Sequence, residues 1–442
     1  MKNTNGPELT REIMKRWNTI IGCVILVLLM LSQAVFVSAA EIQNGSIYPI
    51  YTNSIAGWPQ GMDTYSETAV LMEAETGTVL YNKGMNELRY PASITKIMTA
   101  MLAIEHSNME EQVIFTDVCL ADQTPDSGNA GMKVGEILTM KQCLLVLMIK
   151  SANDVATQIA EHVGGTVENF VDMMNQRAKE IGCTNTHFVN ASGMPDEDHY
   201  TTAYDMALIF QEAIKSPVFR EIISTLSVTI GPTNMNSEVK VYSTHHALLA
   251  PEAPEHYEGC FGGKTGTTNI SRNTLVSGAE RNGMTLIAVA LRADAGQVCQ
   301  DHINLFDYGY NNFEKKEISG GWVVVPKGTE TSSLNVVDDT LTGESNYYYN
   351  DYYVGRGTEE NQQQDEENPI ELLPEENDTA SSENEISLSE EAVVKNDDFQ
   401  NNYRWIIYIL VGFIVLALIV TFLSASSRKR SRKRRRRKKR MK

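Results

Sequence analysis

The chemistry that this sequence could perform starts with Ser93 and Lys96, which stand three positions apart in the stretch YPASITKIMTA. Three residues are almost one helical turn, so both side chains lie on the same helix face, within reach of each other. A hydroxyl and an amine in that geometry suit a nucleophile and its base. The alternative is that Ser93 caps a helix after Pro91 and that Lys96 is a solvated surface lysine.

A lysine can activate a serine only if its amine is uncharged. The chain lacks the Gly-x-Ser-x-Gly turn that would introduce a histidine-based triad, which leaves lysine as the candidate base. Because a free lysine is protonated at neutral pH, the site must lower the pKa of Lys96 by burial and by a second nearby cation. The sequence should therefore supply another lysine.

Two further short patterns follow in chain order. The motif SAN at 151–153 ends a strongly apolar segment, and the motif KTG at 264–266 precedes a predicted hairpin. Each is weak on its own, and the SAN motif could also cap the helix that begins NDVATQ. Together and in this order, Ser-x-x-Lys, Ser-x-Asn and Lys-Thr-Gly are shared by serine penicillin-binding enzymes and the related β-lactamases.

The sequence resembles the low-molecular-mass penicillin-binding proteins that act as serine-type D-alanyl-D-alanine carboxypeptidases. The resemblance covers roughly residues 66–313 and includes AETGTVLYNKGMNELRYPASITKIMTA, FVNASGMPDEDHYTTAYDMALI and LFDYGYNNF. It implies an α/β fold in which an antiparallel sheet is flanked by helices, with a helical subdomain beside it. It also implies a peptidoglycan stem peptide as substrate and β-lactam antibiotics as inhibitors.

The resemblance implies a role for each matching residue. Ser93 would attack the carbonyl between the two terminal D-alanines of the stem peptide, and Lys96 would accept its proton. Ser151 would relay a proton to the leaving amine, while Asn153 would hold the substrate amide and orient Lys96. Lys264 would keep the cleft positive, which favours an uncharged Lys96 and attracts an anionic substrate.

The implied substrate-binding residues are Lys264, Thr265, Gly266 and Thr267. Thr265 would donate a hydrogen bond to the terminal carboxylate of the peptide, and the backbone N–H groups of Ser93 and Thr267 would form the oxyanion hole. Such pre-aimed donors typically lower a barrier by about 3 to 4 kcal/mol each. A glycine at 266 would let the substrate backbone approach the strand closely.

Some features depart from the family pattern. After the KTG motif the chain reads TTNISRNTL, where the family commonly has an aromatic residue or histidine and then a short turn of small residues. Arg272 is therefore an unexpected charge near the cleft, which leaves open the preference for the third residue of the stem peptide. In addition, LRADAGQ replaces a more usual glycine turn after the last strand.

The elements that must position these residues are a sheet and a group of helices. AVLMEAETGTVLYN alternates as a hairpin around 76–77, and NTLVSGAERNGMTLIAVAL as a hairpin around 282–283. Between them, Thr139 and Gln142 predict a capping box, and CLLVLMI is apolar on every side, which predicts a buried helix. Strands at both ends of the region predict a sheet that pairs distant segments.

Charge is unevenly distributed along the 442 residues, of which 42% are hydrophobic, enough for a sizeable core. The formal net charge is −18, although 428–442 contains thirteen Lys or Arg. Before this cluster, WIIYILVGFIVLALIVTFL is long enough to cross a bilayer, and near the start an apolar run predicts an export signal cleaved after Ala40.

The positive-inside rule then predicts a membrane-anchored protein with an extracytoplasmic catalytic domain and a cytoplasmic tail that binds anionic lipids. An uncleaved N-terminal anchor and a nucleic-acid-binding tail are the alternatives; the position of the basic cluster beside the span argues against nucleic acid.

The acidic segment before the span is not expected to pack. Residues 357–400 contain fifteen acidic residues and one lysine, so burial cannot offset the entropy of ordering. The preceding NYYYNDYYV is either a strand or a linker. The predicted organisation is a signal peptide at 1–40, an N-terminal segment at 41–62, a catalytic domain at 63–316, a possible remnant of a small β domain at 317–356, an acidic tether at 357–403, a transmembrane helix at 404–424 and a basic tail at 425–442.

The sequence implies no metal and no cofactor. The eight histidines show no His-Glu-x-x-His arrangement, and the cysteine spacings match no zinc pattern. Removal of Cys23 with the signal peptide leaves five cysteines, so at least one thiol is free or bonded to another chain.

Two other functions compete with the carboxypeptidase. A class A β-lactamase needs an additional glutamate followed by asparagine on a loop after the SAN motif, and GMPDEDHYTTAYD contains no Glu-x-x-x-Asn. A non-catalytic wall-binding or signalling protein would use the fold as a sensor, but it has no reason to keep all five catalytic side chains. We therefore predict a membrane-tethered D-alanyl-D-alanine carboxypeptidase.

Overall fold

A computed structural model of the chain describes residues 48–123, 127–294, 296–339 and 342–358. The predicted signal peptide, transmembrane helix and basic tail lie outside these residues, as does the tether from 359 onward. None of the helices that are described is long and apolar enough to cross a membrane. The helices are α1 (Lys96–His106), α2 (Met140–Ile149), α3 (Asn153–Gly164), α4 (Val167–Ile181), α5 (Ala203–Ala213), α6 (Pro217–Ile223) and α7 (Gln297–Asn312).

The strands of the described part of the chain fall into two five-stranded antiparallel sheets and two short pairs. The strands are β1 (Thr68–Glu73), β2 (Val79–Lys83), β3 (Gln112–Ile114), β4 (Ile137–Thr139), β5 (Ser227–Ile230), β6 (Lys240–Ser243), β7 (Cys260–Thr268), β8 (Arg272–Arg281), β9 (Met284–Ala293), β10 (Phe313–Ile318), β11 (Gly321–Pro326), β12 (Asn335–Asp339), β13 (Glu344–Tyr349) and β14 (Tyr352–Thr358). The main sheet has the order β2-β1-β9-β8-β7, the second sheet has the order β10-β11-β14-β13-β12, and β3 pairs with β4 as β5 does with β6.

The main sheet confirms the predicted pairing of distant segments, because β1 lies antiparallel to β9 with Val70 opposite Val289. Both predicted hairpins form, and the second turns at Asn282 and Gly283, which both have positive φ as a two-residue hairpin turn requires. Alternate residues of the sheet face α5 on one side and α7 on the other. The predicted α/β fold is thus confirmed.

The helical region places α1 at the centre of the core. Its residues from Lys96 to Ala103 are buried. The capping box of Thr139 and Gln142 begins α2, and all of CLLVLMI except Leu145 is buried, so both helix predictions are confirmed. A buried α1 explains how a lysine in its first turn can be removed from water.

The second sheet begins earlier than the predicted remnant domain. Its first strand starts at Phe313, so the predicted boundary at 316 falls inside β10, and its last strand ends at Thr358, beyond the predicted start of the tether. The tyrosine-rich run forms β13 and β14. This segment is therefore a paired sheet in the structure rather than a linker.

Trp58 joins the N-terminal segment to the second sheet. Its side chain is 3% exposed, and its ring centroid lies 5.0 Å from the rings of both Phe313 and Tyr352. Its indole N–H donates a hydrogen bond of 2.9 Å to the carbonyl of Leu80 in β2. The aromatic side chains of the second sheet thus pack on a residue that lies 255 positions before Phe313 and 294 before Tyr352, which the local sequence pattern could not reveal.

Candidate active site

Ser93 lies in a 3-10 turn, Ala92–Thr95, which continues directly into α1. No side chain caps this turn, so the interpretation of Ser93 as a helix cap is wrong. Ala92 has the left-handed φ of 53°, and the hydroxyl of Thr274 on β8 donates to the carbonyl of Pro91 at 2.9 Å. A strained residue before the serine and a bond to the sheet together fix the position of the hydroxyl.

The amine of Lys96 is fully buried and lies among three oxygen atoms. Its Nζ lies 3.0 Å from Ser93 Oγ and 2.7 Å from Asn153 Oδ1, and it also donates to the carbonyl of Ser192. A neutral amine has two protons and one lone pair. Since Asn153 Oδ1 and the Ser192 carbonyl can only accept, they take both protons, which turns the lone pair toward the hydroxyl of Ser93.

The surroundings of Lys96 favour this neutral form. Burial lowers its pKa well below 10.5, and the charge of Lys264 lowers it further, while Asp122 and Asp154 act in the opposite direction. Lys264 is 2% exposed, and burial lowers its own pKa to about 7. Its Nζ donates to the carbonyl of Thr265 at 2.7 Å. Below about pH 7 Lys264 is thus a cation whose charge acts on Lys96.

Ser151 and Asn153 reach the same site from the start of α3. Helix α3 begins at Asn153, its N-cap is Ala152, and no side chain caps it, so the capping interpretation is wrong here too. Asn153 instead uses its side chain to hold Lys96. Ser151 has the left-handed φ of 62° and lines the same cleft as Ser93.

The carbonyl of Ser192 is a part of the site that sequence reasoning missed. The side-chain oxygen of Asn190 accepts the backbone N–H groups of Ser192, Gly193 and Met194, which folds the loop tightly. Gly193 has a φ of 86°, and a Cβ there would lie 1.9 Å from the carbonyl oxygen of Ala92. The asparagine and the glycine of NASG, quoted above only as a resemblance, were the available signal.

Strand β7 forms the other wall of the cleft. It is the edge strand of the main sheet, and Thr265, Gly266 and Thr267 all line the cleft. A Cβ on Gly266 would lie 3.0 Å from the backbone nitrogen of Ser93 and 2.4 Å from the hydroxyl of Thr274. The close approach that requires glycine here is therefore that of the nucleophile turn, in addition to any approach by substrate.

Arg272 does not add its charge to the cleft. Its guanidinium lies 3.1 Å from a carboxylate oxygen of Asp294, both side chains are largely exposed, and Arg272 is not among the lining residues. The geometry therefore gives no reason to expect that Arg272 alters the preference for the third residue of the stem peptide.

No described residue that lines the cleft is an Asp or a Glu. Asp196, Glu197 and Asp198, in the loop that a class A β-lactamase would use, are exposed to solvent. No carboxylate of that loop is thus placed to activate water beside Ser93. Within the described ranges, no group of three or more His, Cys, Asp or Glu could hold a metal ion, and the described cysteines are free thiols.

The chain is similar in sequence to D-alanyl-D-alanine carboxypeptidases. It is 32% identical to the D-alanyl-D-alanine carboxypeptidase DacF of Bacillus subtilis, over 56% of this chain and 63% of that protein. It is also 32% identical to DacB2 of Mycobacterium tuberculosis, a D-alanyl-D-alanine carboxypeptidase, over 56% of this chain and 83% of that protein. The chain thus spans less than two thirds of DacF and more than two thirds of DacB2.

Solved structures show the same fold. The Streptomyces K15 DD-transpeptidase has 27% identity and a TM-score of 0.54, over 57% of this chain and all of that chain. Penicillin-binding protein 6B of Escherichia coli has 25% identity and a TM-score of 0.58, over 69% of this chain and 97% of that chain.

A sheet backed by helices on both faces, with a serine and a buried lysine at its edge, defines a serine-type hydrolase with the penicillin-binding protein fold. The profile of the D-alanyl-D-alanine carboxypeptidase family matches residues 56–295, more than half of the chain. The chain belongs to this family.

Proposed function

We propose that the protein removes the terminal D-alanine from peptidoglycan stem peptides through an acyl-enzyme on Ser93, and that β-lactams acylate the same hydroxyl. The observation that carries this proposal is the hydrogen bond between Lys96 Nζ and Ser93 Oγ beneath an open cleft, in a chain of the D-alanyl-D-alanine carboxypeptidase family.

The acylation step follows from the arrangement around Lys96. Its lone pair takes the proton of Ser93 while Oγ bonds to the carbonyl carbon, and the oxyanion lies between the N–H groups of Ser93 and Thr267. The carbon–nitrogen bond then breaks while the proton that Lys96 accepted passes through Ser151 to the departing nitrogen, so that D-alanine leaves as a neutral amine. Water subsequently hydrolyses the ester and restores the hydroxyl. The packing of Gly266 against the Ser93 nitrogen supports this placement of the oxyanion.

Purified full-length protein should release D-alanine from a stem pentapeptide and leave the tetrapeptide. It should also carry one covalent penicillin per chain, located on Ser93 by mass spectrometry of peptides. Ser93→Ala should do neither, because it lacks the attacking oxygen. The exposed Ser224, whose hydroxyl bonds the Glu221 carbonyl away from the cleft, provides the matched control Ser224→Ala. Equal release by wild type and Ser93→Ala would refute the proposal.

The same experiment separates the competing functions. A carboxypeptidase releases bound penicillin slowly, whereas a β-lactamase would turn over many drug molecules per chain. A non-catalytic sensor would show neither D-alanine release nor an acylated serine. The exposed positions of Asp196 and Glu197 support slow release, because they place no general base for deacylation in the cleft.

Lys264→Met should move the rising limb of the pH profile of acylation to higher pH. Acylation speeds up as Lys96 loses its proton, and the positive Lys264 lowers the pKa at which this happens. The effect exists while Lys264 is itself charged, below about pH 7. Methionine keeps the buried volume but removes the charge, so the pKa of Lys96 rises. The second-order rate constant for penicillin acylation, measured across the acid and neutral pH range, checks this prediction. An unchanged midpoint of the pH profile would show that the charge of Lys264 does not affect the pKa of Lys96.

We also propose that an export signal and a C-terminal span hold the catalytic domain outside the cell membrane, with the basic tail in the cytoplasm against anionic lipids. The apolar runs near both ends and the thirteen cations after the second run support this arrangement. Protease added to intact protoplasts should release the catalytic domain and spare the tail; protection of the domain would contradict the topology.

A further inference from the structure

A lysine that the mechanism above does not use lies in the cleft beside Ser151. Lys150 is half-buried and lines the cleft, and its ammonium group has no hydrogen-bond or ion-pair partner among the described residues. A solvated surface lysine usually projects away from such a wall, whereas this one faces a space that contains no described carboxylate. Its charge is available to a ligand.

Lys150 and His245 both line the cleft. Partial burial lowers the pKa of His245, and the charges of Lys264 and Lys150 lower it further. His245 is therefore largely neutral at neutral pH. The positive charge in this part of the cleft comes from Lys150, and below about pH 7 also from Lys264.

This positive part is at the leaving-group end of the proposed substrate. The family resemblance implies that Thr267 supplies an oxyanion N–H and that Thr265 contacts the terminal carboxylate, and with these roles on β7 the peptide runs toward Lys264 as it approaches its C-terminus. In the opposite direction β7 leads to Ile270, which lines the cleft without charge. The free carboxylate of the peptide thus lies at the end that contains Lys150.

We propose that Lys150 determines specificity by pairing with the free α-carboxylate of the terminal D-alanine, which restricts cleavage to the last peptide bond. This inference rests on the proposed function. A threonine hydroxyl can bond a carboxylate or an amide carbonyl equally well, so Thr265 cannot by itself distinguish a chain end from a continuing chain. A cation in a partly desolvated wall makes that distinction, because only the chain end is charged.

The test uses two substrates that differ by one charge: a diacetyl-L-lysyl-D-alanyl-D-alanine and the same peptide with a C-terminal carboxamide. With the full-length protein, Lys150→Met should lower kcat/KM for the acid by about 10- to 100-fold, the loss expected for one hydrogen bond to a charged group. The value for the amide should change by less than about threefold, so the acid-to-amide preference should collapse. Lys150→Arg should retain part of the preference.

A matched control is Lys141→Met, which removes a lysine that pairs with Glu221 at 2.9 Å and does not line the cleft. It should leave both substrates unchanged. Stoichiometric penicillin labelling at long times counts the folded sites in each variant. An unchanged preference in fully labelled Lys150→Met overturns this inference but leaves the proposed function intact. Failure of the wild type to release either D-alanine from the acid or D-alaninamide from the amide would instead defeat the proposed function itself.

Discussion

Lys96→Arg should lower the rate of Ser93 acylation by about a thousand-fold, within the range of about 10² to 10⁴ that a positioned base contributes. Arginine preserves the positive charge and can still donate hydrogen bonds to Asn153 and to the Ser192 carbonyl. It cannot lose a proton at any accessible pH, so it has no lone pair for the serine. The rate constant for acylation by a fluorescent penicillin measures the loss.

Because Lys96 is fully buried, a bulkier guanidinium could also displace its neighbours. Lys96→Met therefore accompanies it: methionine matches the length of lysine, carries no charge and places nothing basic beside Ser93. Both variants should keep a cooperative thermal transition and lose acylation to a similar degree. Acylation at near wild-type rate in folded Lys96→Met would show that the base lies elsewhere, with Lys264 the next group to test.

The serine–lysine pair could be predicted from the sequence because it depends on local geometry. Ser93 and Lys96 are separated by almost one helical turn, and any helix through them brings the side chains together. The same is true of the capping box at Thr139 and of the hairpin turn at 282–283, where the residue types determine the backbone. These features need no knowledge of distant segments.

The parts that could not be predicted depend on contacts between distant segments. The Ser192 carbonyl reaches Lys96 across 96 positions, and a backbone carbonyl has no identity in a sequence. Likewise, the strand or linker character of the tyrosine run is decided by packing on Trp58. The two capping interpretations failed because the N-caps are Pro91 and Ala152. Ser93 and Asn153 lie inside the helical segments, and their side chains contact the Lys96 amine instead.

The contacts of one amine maintain the site. Asn153 Oδ1 and the Ser192 carbonyl both accept hydrogen bonds from Lys96 Nζ, and the loop that contains Ser192 packs against the turn that contains Ala92 and Ser93. The loop and the nucleophile are therefore mechanically coupled. A change that separates them should affect catalysis even though it removes no reacting group.

Gly193→Ala is such a change, and it should slow acylation of Ser93 by at least about 100-fold. The added Cβ would lie 1.9 Å from the carbonyl oxygen of Ala92, far inside contact distance, and the φ of 86° disfavours alanine in addition. This clash is removed only if the loop that contains Gly193 moves away from the turn that contains Ala92. The movement takes the Ser192 carbonyl away from Lys96. The Lys96 amine then loses one of the acceptors that direct its lone pair.

Gly182→Ala separates this effect from backbone strain alone. Gly182 has a comparable φ of 97° at the end of α4, but a Cβ there would meet no atom within 4 Å. Both variants should lose stability, by about 1 to 3 kcal/mol for the left-handed backbone, and thermal unfolding measures that loss. Only Gly193→Ala should also slow acylation, because only its Cβ reaches the nucleophile turn. If the two variants acylate equally fast, the Ser192 carbonyl is dispensable, and Asn153 alone suffices to orient the lysine.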